Sequence, residues 1–217
     1  MAKKGYSKSD IGEMEDRFRA RFINSLSGYK SANLIGTIDN NGQHNLSIVS
    51  SVFHLGANPP LLGMIVRPHS VSRHTLENIV ETGYYTINSV CREVYQQAHQ
   101  TSARYRKEES EFEKVGLTPE LSEVIKAPYV KESPMQIGMV LCEHTTMSVN
   151  QTELVIGEVQ EIRVKGQAVM QDGYIDLDTL DLVAISGLDS YHTAERLSRL
   201  SYAKPELLPR ELDTSGK

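Results

Sequence analysis

Hydroxyl and basic side chains concentrate in two neighbouring stretches of this chain. Residues 45–53 have the sequence NLSIVSSVF, and residues 67–75 have the sequence RPHSVSRHT. A serine-bearing strand followed by a loop of guanidinium, imidazole and hydroxyl groups offers the donors that a phosphorylated cofactor with a polar ring edge requires. These two stretches therefore predict a binding site for such a cofactor.

Strand alternation divides the first stretch between two faces. One face has Leu46, Ile48, Ser50 and Val52, and the other has Asn45, Ser47, Val49 and Ser51. Hydroxyl groups therefore lie on both faces. One interpretation is that the serines satisfy backbone groups or pair across strands. The other is that Ser50 or Ser51, together with nearby backbone amides, contacts a polar heterocycle.

The second stretch combines charge and hydroxyl groups where a helix is predicted to begin. Its polar donors include Arg67, Ser70, Ser72, Arg73 and Thr75. A helix that starts at Ser72 or His74 directs free N–H groups and the positive end of its dipole toward this loop, and such an end binds anions. The alternative is a helix cap with two surface arginines. Together with the serine strand, the pattern favours a phosphate.

The elements that must position these groups are mostly strands. We predict strands over residues 33–38, 45–55, 61–66, 84–90, 139–149, 153–164 and 183–185. Two hairpin signals, at 39–42 and 150–152, join four of them. Hairpins rather than alternating strands and helices favour an antiparallel barrel over a doubly wound sheet.

Three helices accompany the predicted strands. Asp10 is predicted to cap the first, which ends at Gly28; the second runs to about Thr82, and the third spans 93–105. In the second helix Leu76, Ile79 and Val80 are expected to face inward. The charge-rich segment 107–114 is expected to be a solvated surface.

Composition excludes several classes of protein. The chain has 217 residues, a net charge of -5 and a pI of about 5.8, which argues against nucleic-acid binding. Its longest apolar run, 61–66, is too short to span a bilayer, and no secretory signal is visible, so we expect a cytoplasmic protein. No Rossmann, P-loop or nucleophile-elbow motif is present, and the seven histidines lack metal-ligand spacing, so no metal site is predicted.

An ordered set of motifs resembles a known family. The set is Asn45-x-Ser-x-x-Ser-Ser51, then 58–62 (NPPLL), then Arg67-x5-Arg73-His-Thr75, then 85–88 (YTIN). In this order and spacing it resembles flavin reductase-like proteins of the FMN-binding split-barrel superfamily. The likeness covers roughly residues 31–164, and the segments 98–103, 187–191 and 202–205 resemble a subgroup of the same family.

The resemblance implies a mainly β fold with added helices, a six-stranded antiparallel Greek-key split barrel. It implies an N-terminal tail and helix over 1–30, the barrel domain over 31–190, and a C-terminal extension over 191–217 that packs on the barrel or on a partner subunit. It also implies a homodimer with FMN, or alternatively FAD, near the subunit interface. NADH or NADPH would be the co-substrate, and a partner oxygenase or another acceptor would receive the electrons.

The resemblance also implies which residues meet the cofactor. The implied cofactor-binding set is Thr37, Asn45, Ser47, Ile48, Val49, Ser50, Ser51, Arg67, Ser72, Arg73, His74, Thr75 and Asn88. Candidates to line the nicotinamide face are His54, His99, Tyr191 and His192. No side chain is assigned as an acid or base, because a flavin carries the hydride chemistry itself. The alternative function is an FMN-binding electron carrier or storage protein without reductase turnover.

Overall fold

The computed structural model describes residues 2–69 and 71–212. Within these ranges the helices are α1 (Lys8–Glu13), α2 (Asp16–Ser25), α3 (His74–Thr82), α4 (Tyr95–Gln100) and α5 (Glu111–Val115), with short 3-10 turns at Gly166–Ala168 and Asp178–Leu180. The first six strands are β1 (Lys30–Ser31), β2 (Asn33–Ile38), β3 (His44–Val49), β4 (Phe53–Ala57), β5 (Pro60–Val66) and β6 (Tyr84–Ser89). The others are β7 (Pro119–Glu120), β8 (Tyr129–Val130), β9 (Met135–Thr146), β10 (Glu153–Val164), β11 (Val183–Ser186) and β12 (Ser190–Thr193).

One antiparallel sheet dominates the described part of the chain. Its seven strands follow the order β3-β2-β6-β9-β10-β5-β4, while β1, β11 and β12 form a second sheet and β7 pairs with β8. The predicted hairpins at 39–42 and 150–152 join β2 to β3 and β9 to β10. The mainly β, antiparallel class is therefore confirmed, with seven strands in the main sheet instead of six.

The extra strand arises because the strand predicted over 45–55 divides in two. β3 ends at Val49 and pairs with β2, whereas β4 begins at Phe53 and pairs with β5. These two strands are the opposite edges of the main sheet. Four Cα steps from Val49 to Phe53 reach at most about 14 Å, so the sheet must curl until its edges meet. This short connection, residues 50–52, makes the sheet a barrel.

Ser51 ties the connection to β5 through its side chain. Its Oγ donates to the Ile65 carbonyl at 2.7 Å, and the Ile65 N–H donates back to Oγ at 3.3 Å. The β4–β5 register pairs Phe53 with Gly63, so Ser51 stands opposite Ile65, where the ladder would have continued. One hydroxyl therefore replaces two ladder hydrogen bonds at the closure.

The barrel interior is apolar, and α3 packs against it. Leu76 and Ile79 of α3 are buried in one cluster with Ile35, Tyr85 and Met139. The prediction for Leu76 and Ile79 is confirmed. Val80 was predicted to face inward as well, but its side chain is 51% exposed because the third inward position of this short helix is Asn78.

A second apolar cluster covers the outer face of β2 and β3. Leu34 and Leu46 pack there with Phe112 and Leu117, and α5 begins within the segment predicted to be a solvated surface. That prediction is wrong for part of the segment, since Glu111 is only 6% exposed. Phe112 lies in the segment and Leu117 just after it, and burial of these two side chains holds the segment against the sheet.

The N-terminal helix also differs from the prediction. Ser7, rather than Asp10, is the N-cap, and Asp10 completes a capping box as the third helical residue. Met14 adopts an extended conformation that separates α1 from α2, and neither helix has a buried residue. Of the helix predicted over 93–105, only the part that forms α4 is helical. No helix in the described ranges is long and apolar enough to cross a bilayer.

The predicted C-terminal extension begins with ionic contacts to the rest of the chain. Arg196 Nη1 lies 2.9 Å from Asp176 Oδ1, and Arg199 Nη2 lies 2.6 Å from Asp172 Oδ2. Residues 213–217 of this extension lie outside the described residues, as does Ser70. The domain boundaries at 30 and 190 stay predictions.

We expect Ser51→Ala to lower the free energy of unfolding by about 1–3 kcal/mol, because it leaves the Ile65 carbonyl and N–H without partners at the closure. Urea unfolding of the purified variant measures this loss. Ser50→Ala is the matched control: no protein hydrogen bond to the Ser50 hydroxyl is recorded in the described structure, so it should change stability by less than about 0.5 kcal/mol. Equal losses in both variants would contradict this account of barrel closure.

Candidate functional site

A chain of side-chain hydrogen bonds connects α3 to β2 and β3. Asn45 Nδ2 donates to Thr75 Oγ1 at 2.9 Å and to Thr37 Oγ1 at 3.1 Å. The hydroxyls of Ser47 and Thr75 lie 2.7 Å apart. Asn78 Nδ2 donates to Thr37 Oγ1 at 3.1 Å. The network fixes the first turn of α3 against the serine-bearing strand, so four residues of the predicted set lie together.

Burial separates supporting residues in this network from accessible ones. Thr37 is fully buried, and its hydroxyl accepts from Asn45 and Asn78. The Oδ1 of Asn78 is buried with no partner among the described residues. A buried amide oxygen without a donor is costly.

The structure places the Asn88 side chain inside the fold. Its Nδ2 donates to the Leu34 carbonyl and the Thr86 hydroxyl, and its Oδ1 accepts from the Val130 N–H at 2.9 Å. The side chain is fully buried and its polar atoms are used inside the fold. Asn88 therefore secures β6 to its neighbours, and its polar atoms already have partners within the fold.

The loop before α3 ends in a helix N-terminus without a side-chain cap. Arg73 is the N-cap residue, and its side chain makes no capping hydrogen bond. An N-cap normally supplies an oxygen to the amides of the first turn, which arginine cannot do. The amides of His74, Thr75 and Leu76 are the donors that such an end leaves for an anion.

Glu77 provides the nearest negative charge to this loop. Its carboxylate accepts from the Arg73 N–H at 2.9 Å, from Ser72 Oγ at 2.8 Å and from His69 Nε2 at 2.9 Å. Burial opposes ionisation of this carboxyl, but the hydrogen bonds from His69, Arg73 and Ser72 outweigh it and lower its pKa from 4.5 to about 2. The group is therefore a carboxylate at neutral pH.

The residues present fit a phosphate group. Arg73 Nε is buried without a partner among the described residues. A guanidinium with an unused donor, the Ser72 hydroxyl and the first-turn amides of α3 form the donor set that anionic phosphate oxygens favour. Arg67 follows β5 at the start of the same loop, and His74 begins the helix.

The edge of β3 offers backbone groups close to this anion site. The Leu46 N–H points away from β2 and donates to Glu111 Oε2 at 2.9 Å. Alternate residues of an edge strand direct their backbone the same way, so Ile48 also presents its N–H and C=O outward. The side chains of Ile48 and Val49 pack against the outer and inner apolar clusters, respectively. Backbone groups of β3 and the Ser50 hydroxyl are therefore what this edge offers a heterocycle.

The four candidates for the nicotinamide face do not form one surface. His99 Nδ1 and the Tyr191 hydroxyl lie 3.0 Å apart, and burial raises the pKa of Tyr191 to about 12. His192 neighbours Tyr191 on β12, but its Nε2 lies 2.8 Å from Ser186 Oγ. His54 lies on β4, at an edge of the other sheet. The structure brings together only His99 and Tyr191.

A cavity of about 220 Å³ lies elsewhere on the barrel. His54, Phe53, Leu62, Ile137, Leu177 and Val183 are among its lining residues. Its walls are mainly apolar, and none of the proposed phosphate donors faces it. The donor groups around the start of α3 and this cavity are therefore separate features of the barrel. Among the described residues no group of three or more potential ligand side chains could hold a metal ion.

Three residues of this region, Glu77, Asn78 and Glu111, are not among the site residues predicted from the sequence. Glu77 stands five residues after Ser72, so it does not form the usual capping-box pattern, which places the acid three residues after the hydroxyl. Asn78 interrupts the inward face of α3, a polar residue at an apolar position that could have signalled the network. Glu111 gave no local signal, because its partner is the backbone of a strand 65 residues away.

The comparison with known proteins identifies the family. The profile of the flavin reductase like domain matches residues 26–177. The chain belongs to the flavin reductase-like family. This confirms the resemblance drawn from the ordered motifs, and it covers both the serine-bearing connection and the α3 loop.

Solved structures confirm the split barrel. A candidate flavin reductase with a split-barrel domain from Shewanella frigidimarina NCIMB 400 is 59% identical, covers 93% of this chain and 100% of its own, and has a TM-score of 0.90. A flavoredoxin of Desulfovibrio vulgaris (Miyazaki F) is 25% identical over 89% of this chain and 96% of its own, with a TM-score of 0.69. Nitrilotriacetate monooxygenase component B from Bacillus cereus is 22% identical, covers 92% of this chain and 100% of its own, and shares the fold at a TM-score of 0.81.

We expect the stabilising effect of Glu77 to depend on pH. Its pKa falls from 4.5 to about 2 in the folded chain, so its contribution is present above pH 4.5 and is lost as pH falls toward 2. Glu77→Gln should therefore lower the free energy of unfolding at pH 7, and its difference from wild type should shrink below pH 4.5. Urea unfolding across this range measures the difference.

Glu81→Gln is the control for that pH series. It removes the same charge one turn later on α3, where Asn40 Nδ2 is the one donor to the carboxylate among the described residues and lies at the surface. Its difference from wild type should be smaller at pH 7. A Glu77→Gln difference that stays constant between neutral and acid pH would contradict the charge-based role.

Proposed function

We propose that this chain is an FMN-dependent flavin reductase that takes hydride from NADH or NADPH and passes electrons to a free flavin or to a partner oxygenase. The observation that carries the proposal is the position of the uncapped α3 N-terminus beside the serine-bearing connection of a flavin reductase-like barrel, with an Arg73 Nε that has no partner among the described residues. Bound FMN would supply hydride acceptance and electron transfer at its ring.

The residues of the chain have distinct roles in this proposal. Ser72, Arg73 and the first-turn amides of α3 hold the phosphate, with Arg67 and His74 adding positive charge or donors nearby. The edge backbone of β3 and the Ser50 hydroxyl orient the polar edge of the ring. Ser47, Asn45 and Thr37 act behind them by fixing Thr75. Ser51 contributes mainly to barrel closure, because its hydroxyl is engaged by Ile65.

We also propose that the working form is a homodimer. Phe53 and Leu55 on edge strand β4 are 39% and 46% exposed, and an apolar edge strand favours association with another chain. The separation of His54 from the His99–Tyr191 pair within one chain is consistent with a nicotinamide face built from two chains.

One similarity favours a second function. The 25% identity to a flavoredoxin supports the alternative of an FMN-binding electron carrier without reductase turnover. The phosphate and ring contacts would be the same in both functions. The two differ in whether a pyridine nucleotide reaches the ring, so turnover distinguishes them.

Titration of the purified protein with FMN, followed by NADH and NADPH oxidation assays, tests the proposal. We expect FMN to bind at micromolar concentration or tighter and at least one of the two nucleotides to be oxidised. Bound FMN without oxidation of either nucleotide would favour the electron carrier. No FMN binding at micromolar concentration would overturn both functions.

Arg73→Ala tests the phosphate contact itself. We expect it to weaken FMN binding roughly 10- to 100-fold, since hydrogen bonds to charged groups contribute about 1.5–3 kcal/mol. Riboflavin, which lacks the phosphate, should bind equally to wild type and variant. The exposed Arg104 provides the control substitution, and Arg104→Ala should leave both affinities unchanged.

Sedimentation of the FMN-bound protein tests the dimer. We expect a mass of about twice the 24.3 kDa of one chain. Phe53→Ser should shift the protein toward the monomer, because it removes the exposed aromatic ring from the β4 edge. A wild-type monomer that retains FMN and oxidises the nucleotide would contradict the dimer.

A further inference from the structure

One donor assigned to the cofactor phosphate, the Ser72 hydroxyl, and the adjacent backbone N–H of Arg73 already donate to an anion of the protein. The Glu77 carboxylate accepts hydrogen bonds from the Arg73 N–H at 2.9 Å and from the Ser72 hydroxyl at 2.8 and 3.1 Å. We propose that Glu77 is an internal anion that occupies these donors until the phosphate of a flavin displaces it, and that it thereby sets selectivity between phosphorylated and unphosphorylated flavins. The inference rests on the proposed function, because it assumes that a flavin phosphate enters this loop.

The two anions compete for the same protons. The Ser72 hydroxyl and the Arg73 N–H each carry one hydrogen, so neither donates fully to a carboxylate and a phosphate together. A carboxylate held within hydrogen-bonding distance of these donors would also repel an incoming phosphate. Phosphate binding therefore requires the Glu77 side chain to move away from Ser72 and Arg73.

The position of Glu77 allows that movement. Its side chain is 32% exposed, so it can swing toward solvent without crossing the apolar core. Its third partner, His69, is 46% exposed and belongs to the loop, so it can follow the carboxylate outward. The hydrogen bonds therefore hold the Glu77 side chain in one position, but its exposure leaves a path to solvent when those bonds break.

A helix cap alone does not account for the arrangement. In a capping box, the acid bonds to the N-cap N–H while the N-cap oxygen bonds to the first-turn amides. Here Glu77 makes the first bond, but Arg73 has no oxygen to make the second. The hydrogen bond from the N-cap N–H to the acid is therefore present, but the hydrogen bond from the first-turn amides to an N-cap oxygen is absent. Those amides are the ones that a phosphate would use.

Displacement makes affinity depend on what the ligand offers. A phosphate brings more acceptor oxygens than a carboxylate and can also engage the Arg73 guanidinium and the first-turn amides, so it can replace Glu77. A flavin without phosphate has no group to replace it and leaves the Glu77 contacts intact. Glu77 therefore lowers the affinity for FMN and does not alter the affinity for riboflavin.

The test compares FMN and riboflavin binding to wild type and Glu77→Gln by fluorescence titration. We expect Glu77→Gln to tighten FMN binding about tenfold, the factor that corresponds to one hydrogen bond to a charged group. Riboflavin affinity should change by less than about twofold. Glu81→Gln, the matched loss of charge one turn later, should leave the FMN-to-riboflavin affinity ratio unchanged.

Thermal unfolding gives an independent readout. Glu77→Gln should lower the Tm without FMN but respond to saturating FMN with a larger rise in Tm than wild type, because the lost contacts stabilise only the ligand-free protein. If Glu77→Gln does not fold, Glu77→Asp keeps the charge and shortens the reach by one methylene, and it should tighten FMN binding by a smaller factor.

The outcomes separate this inference from the proposed function. Wild-type FMN binding with unchanged affinity in Glu77→Gln would make Glu77 a structural cap and overturn the inference alone. Weaker FMN binding in Glu77→Gln would show that the carboxylate orders the loop for the phosphate, which also overturns it. Absence of FMN binding in wild type and variant would overturn the proposed function and this inference with it.

Discussion

Residues 50–52 connect β3 to β4 across only three positions. This connection joins strands that lie at opposite edges of the main sheet, so the sheet must close. Closure places the connection beside β5, where Ser51 supplies the hydrogen bonds that a continuous ladder would have made. The same closure brings the end of β3 toward the loop that leaves β5. The candidate site is therefore a consequence of how the barrel closes.

A buried polar network then fixes the helix that completes the site. α3 packs Leu76 into the barrel core on one side and holds Thr75 against Asn45 and Ser47 on the other. Apolar burial alone would allow a short helix to rotate or slide. Directional hydrogen bonds restrict the helix to one orientation, so its N-terminus faces the loop that carries Ser72.

Charge at that N-terminus is balanced within the chain. An arginine stands at the N-cap, where most helices have an oxygen-bearing residue, and Glu77 supplies negative charge from within the helix. The loop thus has hydrogen-bond donors for an anion, and the Glu77 carboxylate accepts from two of them. Under the proposed function this arrangement would link stability and ligand binding, because the contacts that stabilise the loop are the contacts that a phosphate would take over.

The antiparallel class, both hairpins and the serine and arginine stretches could be predicted from the residues alone, because these depend on local periodicity and turn chemistry. The family could also be predicted, since its motifs occur in the chain in the expected order and at the expected spacing. The sequence did not reveal where the strand predicted over 45–55 divides, because the division satisfies sheet closure and not a local preference. Asn88, Glu77 and Glu111 were likewise decided only by tertiary structure: their partners are backbone or loop groups whose proximity arises when distant strands and helices pack.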